Sequence, residues 1–250
     1  LVPLADLTSA HVAEWRDRRL EGVAGVSGPV KGASVRREWN LCSAACSVAI
    51  GEWKWLRLNP FSKAAGAKRP KNSPHRDELI LETDLAALQA VADKHSTPIY
   101  RQVMRAARFA IETAMRSGEV IFLGRNPERV DTTIRVAHLP DTKNGNARDV
   151  GLSLEAIRLW NEAAAEGLNG VWGLTDETRD AHWRDLRRRA AAQHVPVARL
   201  HFHDTRHTAI TRLAKRLNHL ELARMAGITD LKILMVYYNE SAASIALKLD

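Results

Sequence analysis

His203-Asp204-Thr205-Arg206-His207, with Tyr237-Tyr238 about thirty residues further on, is the stretch around which this chain is read. A His and an Arg three residues apart lie on one face of a helix and can converge on a single phosphate. Two short helical segments between that pair and the tyrosines give the chain room to fold a phenol back onto them. A site of this kind needs further cations from upstream, and Arg116 and Lys143 are in place to supply them. The question for the whole sequence is whether one phosphate can be gripped by all of these groups.

The 250 residues suffice for one large or two modest domains with a real apolar core. A formal charge of +8 favours an anionic partner, with nucleic acid ahead of a membrane surface. A basic protein with no polyanion ligand has the same balance, so charge alone does not decide. Cys42 and Cys46 lie one helical turn apart in an Ala/Ser run, the setting of small core residues and not of a disulfide or metal pair. No apolar run approaches the roughly 20 residues of a membrane span, and no signal peptide is visible, which points to a soluble, cytoplasmic protein. The chain opens Leu1-Val2-Pro3 without a Met, as a piece of something longer would.

In order, Thr8 caps a first helix reaching about Leu20, with Leu7 positioned to staple against Val12. After a Gly-rich loop, a second helix is expected from a Ser34 cap to near Asn59-Pro60. Its apolar stripe is Val35, Leu41, Cys42, Ala45, Cys46, Ala49, Ile50 and Trp53. Trp39, Trp53, Trp55, Trp160 and Trp183 read as core residues first and DNA-stacking groups second. From Lys54 to Arg76 there are seven Lys/Arg and no acid. That run is either a strap along a DNA backbone or an ordinary solvated linker. The division expected is a helical domain over residues 1–65, a basic linker over 66–76 and a second domain over 77–250.

Within the second domain, helices are expected from Thr83 to Lys94 and from Pro98 to Met115, with Arg116-Ser117-Gly118-Glu119 following. Val130 to His138 reads as a strand, Lys143-Asn144-Gly145 as a hairpin turn and Arg148 to Leu152 as the return strand. Ser153 starts a helix to about Glu166, and Thr178 starts a basic one carrying Arg184, Arg187, Arg188 and Arg189. Asp204 caps the helix of Arg206 and His207. A short helix from His219 to Ala226 stops at Gly227, a suitable C-terminal cap. Leu231 to Tyr238 and Ala242 to Leu249 complete the chain as helices. The fold class is mainly α with a small antiparallel β-sheet.

Singly, each candidate has an ordinary explanation. A lone His-x-x-Arg is usually a surface helix turn, an Arg at a helix end complements the dipole, a Lys in a polar turn is solvated, and a tyrosine pair packs. Together and in order, Arg116, Lys143, His203, Arg206 and Tyr237 resemble the catalytic series of tyrosine recombinases, the phage integrase family. Glu112-Thr113-Ala114-Met115-Arg116-Ser117-Gly118-Glu119 resembles the family's first arginine box, whose acid supports the site. Leu139 to Gly145 resembles its lysine hairpin. His203 to Thr208 resembles its second box almost letter for letter. Gly227-Ile228-Thr229-Asp230 and Met235-Val236-Tyr237-Tyr238-Asn239 resemble the closing segment. Ser34 to Pro60 is weakly similar to a helix of the family's core-binding domain.

The resemblance implies a DNA-strand-exchange enzyme that integrates or excises a phage or mobile element. Arg116 and Arg206 would hold the non-bridging oxygens of the scissile phosphate. Tyr237 would attack it, Lys143 would protonate the leaving 5′-oxygen, and His203 would assist the proton at Tyr237. Glu119 and His207 are supporting residues, and Lys68, Arg69, Lys71, Arg184, Arg187 and Arg188 are candidate contacts to DNA. No cofactor and no metal are implied. The partners implied are double-stranded DNA, three further copies of the chain in a tetramer, and DNA-bending accessory proteins, in a prokaryotic or phage setting.

The sequence departs from the family at Ile228, where a His, sometimes a Trp, is usual. It lies 22 residues after Arg206 and nine before Tyr237. Isoleucine has no donor for the phosphate. A slowed enzyme, an integrase-derived DNA-binding protein that has lost its chemistry, and a register in which Thr229 and Tyr238 take the roles all remain open. The Gly227 and Asp230 matches favour Tyr237. A type IB topoisomerase shares the chemistry and is the rival enzyme.

Overall fold

The computed structural model describes residues 2–72, 76, 78–140, 147–166, 168–230 and 234. Lys143, Tyr237 and Tyr238 lie outside them, as do the Lys143-Asn144-Gly145 turn and the helices expected over 231–238 and 242–249, Leu234 excepted. The chain divides into two compact units, Leu1–Arg76 and Asp77–Asp250.

In the first unit, helix α1 (Ser9–Glu21) starts where Thr8 Oγ1 accepts the His11 N–H, while the His11 ring returns a bond to the Thr8 N–H. Helix α2 (Gly32–Gly51) begins two residues before the expected Ser34, with Lys31 in the cap position and no side-chain cap. It also ends well short of Pro60. Lys54 turns the chain through a left-handed conformation (φ 59°). Trp53 and Trp55, expected in the core, therefore fall beyond the helix. They are 50% and 61% exposed and lie against each other with ring centroids 4.6 Å apart and planes tilted by 40°. Leu41, on the outer face of α2, is likewise exposed. The aromatic centre of this unit is instead Trp15, Trp39 and Phe61. Cys46 is buried and neither cysteine is bonded.

The second unit is built on α4 (Ile99–Thr113), which is buried along most of its length. Around it pack α3 (Glu82–Lys94), α5 (Ser117–Arg125), α6 (Leu154–Ala165), α7 (Asp176–Ala190) and α8 (Asp204–Leu213). The three arginines of α4, Arg101, Arg105 and Arg108, keep to its partly exposed face, and most of the remaining surface is apolar. Of its buried polar side chains, Gln102, Glu112 and Thr113, the first donates to the carbonyls of Ala163 and Val171 at 2.8 and 3.2 Å. α5 has no counterpart among the expected helices. It is held by Trp172, whose indole donates to the Val120 carbonyl at 2.9 Å. Gly124 gives that ring its room, since a Cβ there would lie 2.1 Å from Trp172 Cδ1.

The expected strand over Val130–His138 is two strands, β1 (Val130–Asp131) and β2 (Val136–Leu139). Asp131 Oδ1 accepts the Thr133 and Ile134 N–H groups, and Arg135 takes φ 62°, so local turn chemistry breaks the run. With β3 (Arg148–Gly151) they form a three-stranded antiparallel sheet in the order β1-β2-β3, with Ala137 opposite both Val130 and Val150. The expected mainly-α fold with a small antiparallel sheet is the one observed. α7 starts two residues before the expected Thr178, because Thr175 and Thr178 cap each other reciprocally. Helix α9 (His219–Ala226) has the expected limits.

Candidate active site

The site is organised by the end of α9. At its start, Asn218 and Glu221 form a reciprocal cap. At its end, Gly227 adopts φ 63°, its N–H donates to the Arg224 carbonyl at 3.3 Å, and the Ile228 N–H reaches back to Ala223 at 2.9 Å. This paired closure leaves the next carbonyls facing outward without a helical partner. Three guanidiniums fill that need, one on each of three successive residues. Arg148 Nε donates to the carbonyl of Met225 at 3.2 Å, Arg206 Nη2 to Ala226 at 2.8 Å and Arg116 Nη2 to Gly227 at 3.1 Å. The negative end of the helix dipole favours all three.

Each arginine arrives from a different element. Arg116 immediately precedes α5, after Ala114 has ended α4 in a left-handed conformation (φ 53°). Arg206 lies on α8, is only 7% exposed, and donates through Nη1 to the Ala114 carbonyl at 2.6 Å. It thus joins the end of α4 to the end of α9. Glu119 organises the third side. Its carboxylate accepts the Arg116 N–H at 2.7 Å, Arg116 Nη1 at 2.9 Å, and both terminal nitrogens of Arg148 at 3.0 and 2.7 Å. Burial pushes the Glu119 carboxyl up, but the bonds from Arg148 and Arg116 outweigh it and hold the group below the ordinary carboxylate range.

His203 stands at the start of α8, open to solvent on one side and hemmed by protein on the other. Loss of hydration, then the positive charge of Arg206, holds its imidazole below the usual value; Arg116 and His207 act the same way against Asp204. Asp204 anchors this turn by accepting the His201 N–H at 2.6 Å. His207 is half-buried one turn along. Ile228 packs on the small apolar cluster of Ala114, Ala209, Ile210, Leu222 and Ala226. That is the apolar contact that closes a helix end of this type. Of the sequence candidates, Arg116, His203, Arg206, Glu119 and Ile228 therefore surround one place.

The candidate DNA contacts are elsewhere. Lys68, Arg69 and Lys71 are exposed on the first unit, where Arg69 donates to Asn40 Oδ1 and the Lys68 carbonyl accepts from Arg16. Lys68 and Arg69, with Lys63, edge a cleft of about 750 Å³ floored by Trp39 and Phe61. On α7, Arg184 and Arg188 are exposed, Arg188 pairs with Asp185 at 2.6 Å, and Arg187 Nη1 holds the Ala198 carbonyl at 2.8 Å. Sequence reasoning missed Arg148 entirely. A signal existed: it lies two residues before buried Val150, hence on the inward face of its strand, where a charge requires a buried counter-charge.

Comparison with known proteins shows one family and one fold. Residues 78–244 match the Phage integrase family. A Haemophilus influenzae protein provisionally named integrase/recombinase is 32% identical over 252 residues, covering 99% of this chain and 77% of its own length. The shufflon-specific DNA recombinase of Escherichia coli is 33% identical over 248 residues, and this chain spans 61% of it. In fold, the chain is similar to the Tn1549 transposon integrase bound to transposon right-end DNA (TM-score 0.71, 16% identity, 99% of this chain and 86% of that one). It is similar also to a lambda integrase dimer bound to a core site (TM-score 0.70, 16% identity, 96% and 83%).

Proposed function

The chain belongs to the phage integrase family, and from that premise we propose that it breaks and rejoins duplex DNA at specific sites through a 3′-phosphotyrosyl intermediate. The observation that carries the reading is the convergence of Arg116 and Arg206 on adjacent carbonyls, beside an imidazole whose pKa is held down by loss of hydration first and by their positive charge second.

The phosphodiester carries one negative charge, and attack at phosphorus increases the charge on its non-bridging oxygens. Arg116 and Arg206 are assigned to those oxygens. Held from behind by carbonyls and Glu119, their guanidiniums are oriented before DNA arrives, so little reorganisation is required in the transition state. Tyr237 is assigned as nucleophile. Its phenolic oxygen forms a bond to phosphorus, the bond to the 5′-oxygen breaks, and the phenol's proton passes toward His203, which is neutral at pH 7 and can accept it. Lys143 supplies a proton to the leaving 5′-oxygen. Because the phosphoester is exchanged and not hydrolysed, a second DNA end reverses the step. Lys68, Arg69, Lys71, Arg184 and Arg188 are assigned to the DNA backbone, where each contact adds salt-sensitive affinity. Four copies exchanging strands between two sites is the assembly this chemistry implies for the family, in the service of a phage or other mobile element.

The test uses the full chain and a pool of nicked duplexes with a randomised core. Covalent protein–DNA complexes that survive detergent are recovered and sequenced, which also yields the target. Adducts that Tyr237→Phe abolishes are the expected result. No adduct from any duplex would overturn the reading in favour of a DNA-binding protein without chemistry. Loss in Tyr238→Phe but not in Tyr237→Phe would move the nucleophile by one residue.

A further inference from the structure

We propose that Arg148 is a positioning residue of this active site, locking Glu119, Arg116 and the exit of α9 into one rigid assembly. The inference rests on the strand-cleavage reading above. All three guanidinium nitrogens are engaged: Nε on the Met225 carbonyl at 3.2 Å, and Nη1 and Nη2 on the two oxygens of Glu119 at 3.0 and 2.7 Å. The side chain is 7% exposed, so it is packed inside the site and is not offered to DNA. A buried charge is tolerated only when fully paired, and this parallel fork onto a carboxylate is the strongest pairing available to an arginine.

What it achieves follows from its partners. Glu119 is the group that fixes Arg116, by its backbone N–H and by Nη1. Met225 is the first of the three carbonyls that the site's arginines share. Arg148 therefore spans from the carboxylate behind one phosphate-binding arginine to the helix end from which the chain continues toward Tyr237. Gly227 is shaped around it: a Cβ there would lie 2.7 Å from Arg148 Cζ. Removal of the fork frees Glu119 to rotate, and Arg116 with it. A displacement of about 1 Å at a reacting group costs on the order of 100-fold in rate.

The experiment measures single-turnover adduct formation and equilibrium binding on one duplex recovered as above, for Arg148→Lys, Arg148→Gln, Glu119→Gln and Arg148→Gln/Glu119→Gln. Expected is a loss of about 100-fold in adduct rate at saturating DNA for each single variant. Affinity should change by less than about threefold, since none of these groups touches DNA. Arg148→Lys keeps the charge but not the fork and should not restore the rate. The double variant should be no slower than the worse single one, because both remove one linkage. Wild-type rates in Arg148→Lys and Arg148→Gln, affinity falling in step with rate, or losses that multiply in the double variant would each overturn the proposal. If the Arg148 variants do not fold, Glu119→Gln decides: an unchanged rate there also overturns it. Absence of adduct from the wild-type chain brings down the cleavage reading and this inference together, whereas a failure confined to the variants removes only the inference.

Discussion

Two arginine clusters in the second unit make opposite use of the same side chain. At the exit of α9, Arg116, Arg148 and Arg206 come from three separate elements and turn inward onto carbonyls and Glu119. Along α7, Arg188 and Arg189 come from one helix, stay in solvent and share Asp185, which they hold well below the ordinary carboxylate range. The difference is hydration. Arg148 and Arg206 are nearly out of water and Arg116 is 30% exposed, and guanidiniums held in this way by carbonyls and a carboxylate are oriented for directed chemistry. One left in water keeps its freedom, is screened by salt, and is individually replaceable.

Substitutions test that contrast most sharply where burial is greatest. Arg206→Ala is expected to lower single-turnover adduct formation by about 10²–10³-fold, the ~3–4 kcal/mol typical of a lost preorganised donor. It should also lower stability in chemical denaturation, because the Ala114 and Ala226 carbonyls lose their partner. A loss no larger than that of Arg188→Ala would break the comparison.

Gly227→Ala comes next. Its φ of 63° strains any side chain, and its Cβ would press on Arg148. A destabilisation of about 1–3 kcal/mol is expected from the denaturant midpoint, with slower cleavage; an unaltered midpoint would show that the helix exit is softer than described.

A smaller effect comes from pH. The folded value of His203 is depressed below the unfolded one of about 6.5. Between the two values the unfolded chain binds more protons. Stability is therefore intact above the unfolded value, declines as pH falls through the window, and levels off below the folded value. His203→Gln should flatten that slope in thermal melts taken across the acid range, and a slope unchanged by the substitution would assign it elsewhere. Smallest of all, Arg188→Ala should change stability by no more than about 0.5 kcal/mol and leave adduct formation at saturating DNA unaltered.

The legible parts of this protein were those whose cause is local. The His203-to-Thr208 box, the cap at Gly227 and the reach of α9 follow from neighbours within a turn, and the return strand expected over Arg148 to Leu152 is β3, one residue shorter. Where a feature depended on distant packing, sequence reading went astray. Trp53 and Trp55 look like core residues by composition, yet the chain turns at Lys54 and leaves them in solvent. Val130 to His138 looks like one strand, yet an Asp131 turn divides it. α5 went unseen because its Gly118 and Gly124 weaken the helical signal, and Gly124 is there for Trp172.

By itself, the sequence determined which chemistry-bearing groups are present, their order, and the family whose pattern they follow. Only the tertiary structure decided how those groups are held. The partners that orient Arg116, Arg148 and Arg206 are main-chain carbonyls of residues 225 to 227, and every residue has a carbonyl, so no side-chain pattern could have pointed to them. A carbonyl becomes a specific partner only when a helix ends and leaves it exposed, and where that end lies relative to a strand and two other helices is a property of the folded chain.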